Sequence, residues 1–312
     1  MPPVRVTRPT PERFDEVLAV LQAADVAVYG DTDWTELELR DEWEKLDLDR
    51  DAWLVELDGR VAGVAHLADR VGGRFISDGY VHPELRGRGV GNTVLALVEE
   101  RARELEPSWP DGERIVLESA HLVGDDTAAT LHEARGFRFV RRFFRMVADV
   151  TQPPAEPVWP DGTEVRPFDP ERDARELHAA FEEAFAREWG HVPRDFDSWW
   201  EPLVGRPRFD PGLITVVWAG DAAVAFAIGF AKTMGDWGWI RNVGVRDAWR
   251  RRGLGLALLH ESFRRFRATG ETTVALGVDS ENPTGATRLY ERAGMRVLWR
   301  ADVWQKELRP GA

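Results

Sequence analysis

Two rhythms of apolar side chains alternate along the chain. Helical spacing, one apolar residue every three to four, predicts helices over residues 11–28, 35–46, 90–105, 128–135, 171–186, 196–204, 253–268 and 284–293. In the third of these Val94, Val98, Ala102 and Leu105 fall on one stripe, and in the seventh Leu256, Leu259, Phe263 and Phe266 do, so each lays one face on a core. Short apolar runs predict strands over residues 4–8, 52–57, 60–68, 74–81 and 114–120, then paired strands up to residue 149. A second series follows at 163–166, 213–219, 222–231, 237–245 and 273–278, with a closing hairpin over 297–308. Asp58-Gly59 is a hairpin turn and Ala219-Gly220-Asp221 its counterpart, while Pro11 opens a helix where its missing N–H costs little. The expected class is α/β, a mixed α+β layered architecture of sheet and flanking helices.

The two series are one pattern written twice. Pro11-Glu12-Arg13 matches Pro170-Glu171-Arg172, Arg86 matches Arg250, and Leu131-His132-Glu133 matches Leu289-Tyr290-Glu291, at nearly constant separation. Two domains are therefore expected, residues 1–151 and 163–312. The linker, residues 152–162, carries Pro153, Pro154, Pro157 and Pro160 and suits an extended path.

Composition narrows the function classes. The 312 residues are enough for two cores, and the absence of cysteine excludes disulfides, thiolate metal sites and a cysteine nucleophile. It suits a reducing compartment, so the cytosol is the expected location. A formal charge of −13 opposes a nucleic-acid partner. Met1-Pro2-Pro3-Val4-Arg5 lacks the basic start and apolar stretch of a leader, and no run reaches membrane-spanning length, so no membrane partner is expected. The seven histidines show no paired helical spacing with acidic partners, and no metal is expected.

The repeat concentrates its chemistry at one place. Val81-His82-Pro83-Glu84-Leu85-Arg86-Gly87-Arg88-Gly89-Val90-Gly91 and Val245-Arg246-Asp247-Ala248-Trp249-Arg250-Arg251-Arg252-Gly253-Leu254-Gly255 each read as strand end, turn and glycine-rich helix entry. Glycine allows close main-chain approach, and the unpaired N–H groups of a first helical turn favour an anion such as phosphate. Arg-x-x-Gly-x-Gly in this setting resembles the acetyl-CoA signature of the GNAT superfamily of N-acetyltransferases, over nearly the whole chain. The resemblance implies two domains, each a twisted, mostly antiparallel sheet flanked by helices. It also implies coenzyme contacts at Val81, Arg86, Gly87, Arg88, Gly89, Val90 and Gly91 in the first copy. In the second they fall at Arg250, Arg251, Arg252, Gly253, Leu254 and Gly255, with main-chain donors at Val243 and Val245 on a strand that splays from its neighbour.

The copies differ beyond the fifth strand. Asn282-Pro283-Thr284-Gly285-Ala286-Thr287-Arg288-Leu289-Tyr290-Glu291-Arg292-Ala293-Gly294-Met295 resembles the family's Asn…Leu-Tyr-Glu-x-x-Gly-Phe stretch. That likeness implies Tyr290 as the acid that protonates the departing thiolate, with Asn282 seating the cofactor or the helix start. The first copy has His132 and Gly124 at these places, so catalysis is expected in the second, as in tandem members of the mycothiol-synthase type. A carboxylate on the splayed strand is common in the family. Here Asn242 stands there, Asp78 occupies the aligned place in the first copy, and the base stays open among Asp236, Asp279, Glu281, Glu183 and Glu188. Trp189, Trp199, Trp200, Trp237 and Trp239 either rim an acceptor cleft or pack in a core. The leading expectation is transfer of acetyl from acetyl-CoA to a small-molecule primary amine, by a monomer with pseudo-dimeric domains or a homodimer. Its rivals are an acyl-CoA-binding scaffold or sensor, and an acetylase of protein amino termini or lysines.

Overall fold

The computed structural model describes residues 4–70, 72–206, 208–233, 237–282 and 284–312. In chain order the first half runs β1 (Arg5–Thr7), α1 (Phe14–Tyr29), α2 (Glu36–Trp43), α3 (Leu48–Asp51), β2 (Ala52–Leu57), β3 (Arg60–Arg70), β4 (Arg74–Val81), α4 (Val90–Leu105), β5 (Ile115–Leu122), α5 (Asp126–Ala134) and β6 (Arg138–Asp149). The second runs β7 (Glu164–Val165), α6 (Pro170–Phe185), α7 (Phe196–Val204), β8 (Ile214–Ala219), β9 (Ala222–Thr233), β10 (Trp237–Val245), α8 (Leu254–Ala268), β11 (Thr273–Asp279), α9 (Ala286–Arg292) and β12 (Arg296–Arg309). The turn at Asp58-Gly59 forms with positive φ at both residues, 54° and 76°, as a tight hairpin requires.

The chain divides into two compact units, but not at the proline-rich segment. Unit 1 is Met1–Phe143 with Trp299–Ala312, and unit 2 is Phe144–Leu298. Unit 1 carries the strand order β1-β2-β3-β4-β5-β12, and unit 2 the order β7-β8-β9-β10-β11-β6. Each unit thus takes its last strand from the far half of the sequence, and residues 152–162 lie inside unit 2. The hairpins expected before residue 149 and over 297–308 are instead the single strands β6 and β12. Neither stretch contains glycine, proline or asparagine to reverse the chain.

Both sheets are mostly antiparallel, with one parallel step: β4 beside β5 in unit 1, β10 beside β11 in unit 2. One face of unit 1's sheet is covered by α4, whose Val90, Val94, Val98 and Ala102 pack with Trp53, Phe75 and Leu117. The other is covered by α1 and α2, through Phe14, Val17, Leu21 and Leu39 against Leu54 and Val64. In unit 2, α8 places Leu259, Phe263 and Phe266 in one cluster, and Trp199 joins Leu177, Phe181 and Phe226 in another. Trp200 packs against that second cluster, so both tryptophans of α7 serve packing.

Strand β12 is anchored by charge as well as by its ladder. Glu99 on α4 is almost fully buried and accepts from Lys306 Nζ at 2.8 Å and Arg135 Nε at 2.7 Å. Burial alone would raise its carboxyl, but the two hydrogen bonds outweigh that and hold it below its ordinary range.

Candidate active site

Both glycine-rich turns take the same path. A short 3-10 turn, Pro83–Leu85 or Asp247–Trp249, ends each strand, and the following helix is entered through a left-handed glycine, Gly89 at φ 87° or Gly253 at φ 91°. Two residues earlier the backbone is left-handed again, at Gly87 (φ 73°) and at Arg251 (φ 61°). An arginine therefore holds a conformation in unit 2 that glycine holds in unit 1, against a preference of about 1–2 kcal/mol. The first main-chain donors inside the helices are Thr93 to Gly89 O at 3.1 Å and Leu256 to Gly253 O at 3.1 Å. The amides of residues 87–92 and 251–255 have no acceptor among the described residues, which is the arrangement an anion needs.

The turns' side chains are spent on the protein itself. Arg86 pairs with Asp125 at 3.0 Å and Arg88 with Asp58 at 2.7 Å. Arg250 reaches Val245 O and Ala184 O, and Arg252 donates to Ala248 O at 3.1 Å beside the Trp249 ring. Gly91 and Gly255 answer to packing: a Cβ on either would meet a Leu131 or Leu289 methyl at 2.9 or 2.8 Å. These glycines let the helix entry lie against α5 and α9.

Next to each turn the parallel strands part. β10 pairs with β11 only through Trp237↔Thr273, Gly238↔Val274 and Trp239↔Ala275, yet stays paired with β9 up to Val245↔Ala225. The register on the β9 side shifts between Ile240 and Asn242, which bends the strand at that point. Arg246 N–H donates to Val224 O on β9 at 3.0 Å. Alternation along the strand then turns the Val243 and Val245 amides to the edge facing away from β9, where no strand is in register. Unit 1 repeats this: β4–β5 pairing ends at Ser77↔Ser119, and His82 N–H donates to Ala62 O at 2.9 Å. Gly79 and Val81 are the amides on its parted edge.

Tyr290 sits where β10 and β11 separate, buried in one cluster with Ile240 and Val278, against which Val243 packs. Burial, and then the charge of Glu188, push its phenol up to about 12, so it is a neutral acid at physiological pH. Glu188 lies in the turn after α6, and Asn282 Nδ2 donates to both its oxygens, at 2.9 and 3.2 Å. Asn282 Oδ1 in turn accepts from Thr284 N at 2.9 Å, so this side chain ties the approach to α9 to the carboxylate. Of the other acidic candidates, Glu183 lies 3.5 Å from Arg246, and Asp279 accepts from Glu281 N at 2.8 Å. Asp236 lies outside the described residues.

His132 takes the corresponding place in unit 1 and has a different chemistry. It stacks with His121 and Trp304, centroids 5.3 and 5.8 Å away, and burial pulls its imidazole down to about 4. Its Nδ1 lies 2.8 Å from Ala128 O. A carbonyl only accepts, so the single proton of the neutral ring is on Nδ1 and Nε2 has none to give. His66 Nε2 lies 3.3 Å from Asp78 and 3.6 Å from Glu42. Counting back from the β3–β4 turn in steps of two pairs His66 with Asp78, and that signal was present in the sequence.

Among the described residues no helix is long and apolar enough to cross a membrane. The model of the acetyltransferase (GNAT) family matches residues 15–137 and again 174–295. A mycothiol acetyltransferase of Streptomyces scabiei is 34% identical over 230 residues, 72% of this chain and 68% of that protein. A GCN5-related N-acetyltransferase from Sphaerobacter thermophilus has a solved structure that is 34% identical, with a TM-score of 0.91, covering 100% of this chain and 98% of that one. A tandem GNAT protein from the clavulanic acid biosynthesis pathway, 17% identical with a TM-score of 0.74, covers 99% of this chain and all of its own, and shares the fold.

Proposed function

The chain belongs to the GNAT acetyltransferase family, and we propose that unit 2 moves acetyl from acetyl-CoA to the primary amine of a small molecule. The observation that carries this is the meeting, in unit 2, of a parted strand edge bearing the Val243 and Val245 amides with a buried, protonated phenol. Free amides at residues 251–255 suit the linked phosphates of coenzyme A, and the parted edge suits its pantetheine arm and thioester carbonyl. Relatives named mycothiol acetyltransferase support an amine acceptor.

The residues divide the proton work between them. As the amine nitrogen bonds to the carbonyl carbon and the carbon–sulfur bond breaks, Glu188 takes the proton the nitrogen loses, and Tyr290 gives its own to the sulfur. Asn282 fixes the Glu188 carboxylate through two donated hydrogen bonds, and the pair then re-equilibrates with water. Direct attack needs no covalent enzyme intermediate, which agrees with a chain that has no cysteine.

The test is release of free coenzyme A from acetyl-CoA with a panel of small amines, for the full chain and for Tyr290→Phe. Turnover undiminished in the variant removes the assigned acid. Tight acetyl-CoA binding with no transfer to any amine replaces the enzyme reading with that of a binding protein.

A further inference from the structure

The turn that carries Glu188 is gripped from α6 at two points. His178 and Glu182 lie one helical turn apart on α6, and both reach the stretch that joins α6 to α7. His178 Nε2 donates to Arg194 O at 2.9 Å, and His191 Nε2 donates to Glu182 Oε2 at 3.0 Å. A carbonyl and a carboxylate only accept, so each ring carries a proton on Nε2. The His191 ring also rests against Phe181 of the core, centroids 6.1 Å apart. The Glu182 and His191 side chains are 22% and 11% exposed, so water competes little for their bond. The other Glu182 oxygen, Oε1, is buried with no hydrogen-bond partner among the described residues. The bond from His191 is therefore what fixes this carboxylate.

Glu188 lies on the arc that this bond closes. Its N–H donates to Phe185 O at 2.8 Å, and its carbonyl accepts from His191 N at 3.1 Å. Gly190, at φ 72°, turns the chain between Glu188 and His191. The place of the Glu188 carboxylate is thus set by a backbone arc that leaves α6 at Phe185 and returns to it through Glu182. The near end of the arc is fixed separately. Arg187 pairs with Asp247 on the short turn after β10, and Arg250 Nη2 donates to Ala184 O at 3.3 Å. Those two contacts tie α6 to the glycine-rich turn and involve neither Glu182 nor His191.

We propose, on the reading of Glu188 as the base of unit 2, that Glu182 and His191 are positioning residues for the transfer. Their hydrogen bond latches the arc onto α6 and holds the Glu188 carboxylate where Asn282 meets it and an attacking amine can lose a proton to it. A base must come within about 3 Å of the group it deprotonates, and a displacement of about 1 Å costs on the order of 10²-fold in rate. A turn released from its helix samples a wider range of positions. Because the pair acts through Glu188, its loss lowers kcat, leaves the acetyl-CoA KM where the separately anchored turn sets it, and costs nothing more once Glu188 is gone.

Amide hydrogen exchange and steady-state kinetics on the full chain test this together. His191→Phe keeps a ring beside Phe181 and removes the donor, while His191→Gln restores a donor at a similar reach. In His191→Phe the amides of Glu188 and His191 are expected to exchange about tenfold faster, with that of Leu177 inside α6 unchanged. In the same variant kcat for coenzyme A release is expected to fall about tenfold at constant acetyl-CoA KM, and His191→Gln to recover to within about threefold of wild type. Added to Glu188→Gln, His191→Phe is expected to change kcat by less than about twofold. Unchanged exchange in His191→Phe, faster exchange with undiminished kcat, or a full second loss on top of Glu188→Gln each overturns the proposal. A wild type that transfers no acetyl, or a fully active Glu188→Gln, is the separate failure of the function proposed for unit 2. It removes the pair's part in transfer and leaves the latch itself to be upheld or overturned by the exchange rates. If His191→Phe does not fold, Glu182→Ala on the other side of the bond takes its place, with the same outcomes.

Discussion

Tyr290 on α9 and His132 on α5 stand at the same place in two copies of one fold, and both are buried. Desolvation acts on them in opposite senses. It penalises the charged form of each, so the phenol keeps its proton to about 12 while the imidazole surrenders its second proton by about 4. One environment thus leaves a usable acid in unit 2 and a neutral ring in unit 1, whose remaining proton is committed to Ala128 O. The difference on the other side of each sheet runs the opposite way. Unit 1 keeps the cross-strand pair Asp78 and His66 where unit 2 has Asn242 and Ile228. Duplication has kept the frame in both halves and divided the titratable groups between them.

The largest effect should come from breaking that contrast at Tyr290. Tyr290→Phe is expected to lower the rate of coenzyme A release by 10² to 10⁴-fold, about 3–5 kcal/mol of barrier, with little loss of stability, since the hydroxyl has no hydrogen-bond partner among the described residues. His132→Phe should leave turnover unchanged in the same assay. Because the phenol stays protonated to about 12, no alkaline decline attributable to Tyr290 is expected below about pH 10.

Next in size is the anchor of β12 in unit 1. Glu99→Gln leaves Lys306 and Arg135 without their buried partner and should cost about 3 kcal/mol in urea unfolding at pH 7. The folded carboxyl is depressed, so its contribution is complete above the ordinary glutamate value of about 4.3 and disappears as pH falls through the lower, folded one. Wild type and variant should therefore converge in stability at strongly acidic pH. A gap unchanged down to pH 2 would show that the charge contributes nothing.

Glu188→Gln is expected to reduce kcat/KM by 10- to 100-fold, about 1.4–2.7 kcal/mol, in the same coenzyme A release assay. An undiminished kcat/KM would remove Glu188 as the base. The smallest expected effects compare the two turns. Gly87→Ala forces a side chain to φ 73° and should destabilise by about 1 kcal/mol, although nothing within 4 Å obstructs its Cβ. Arg251→Gly relieves the matching strain in unit 2, offset by glycine's chain entropy, and should be neutral to about 1 kcal/mol stabilising by thermal unfolding.

Much of this architecture is legible in the sequence because local signals and tertiary fate agree. Strands over 52–57, 74–81 and 237–245 and helices over 90–105 and 196–204 have the ends that their apolar patterns give. Helix α3 is too short for periodicity to register, and only the Asp47 cap, accepting from Asp49 N and Arg50 N, marks it. What the pattern misread is long-range. A stretch such as residues 138–149 looks like two strands because no single sheet face accounts for its length. Its unbroken run is explained by a strand that begins in unit 1 and ends in unit 2. At the site, the glycine positions and the Tyr290 stretch were readable as motifs. The proposal of Glu188 among five carboxylates rests on a hydrogen bond spanning 94 residues, which no local pattern carries.

Residues 299–312 complete the unit that holds the amino-terminal half. During synthesis the half translated first must therefore wait for everything downstream before its sheet can close, leaving the rim of β5 unpaired and Glu99 without Lys306 in the meantime. A frameshift near residue 299 would spare the Tyr290 neighbourhood and cripple the distant partner. Gene fusion or separation at the prolines, which looks the natural cut, would sever neither half cleanly.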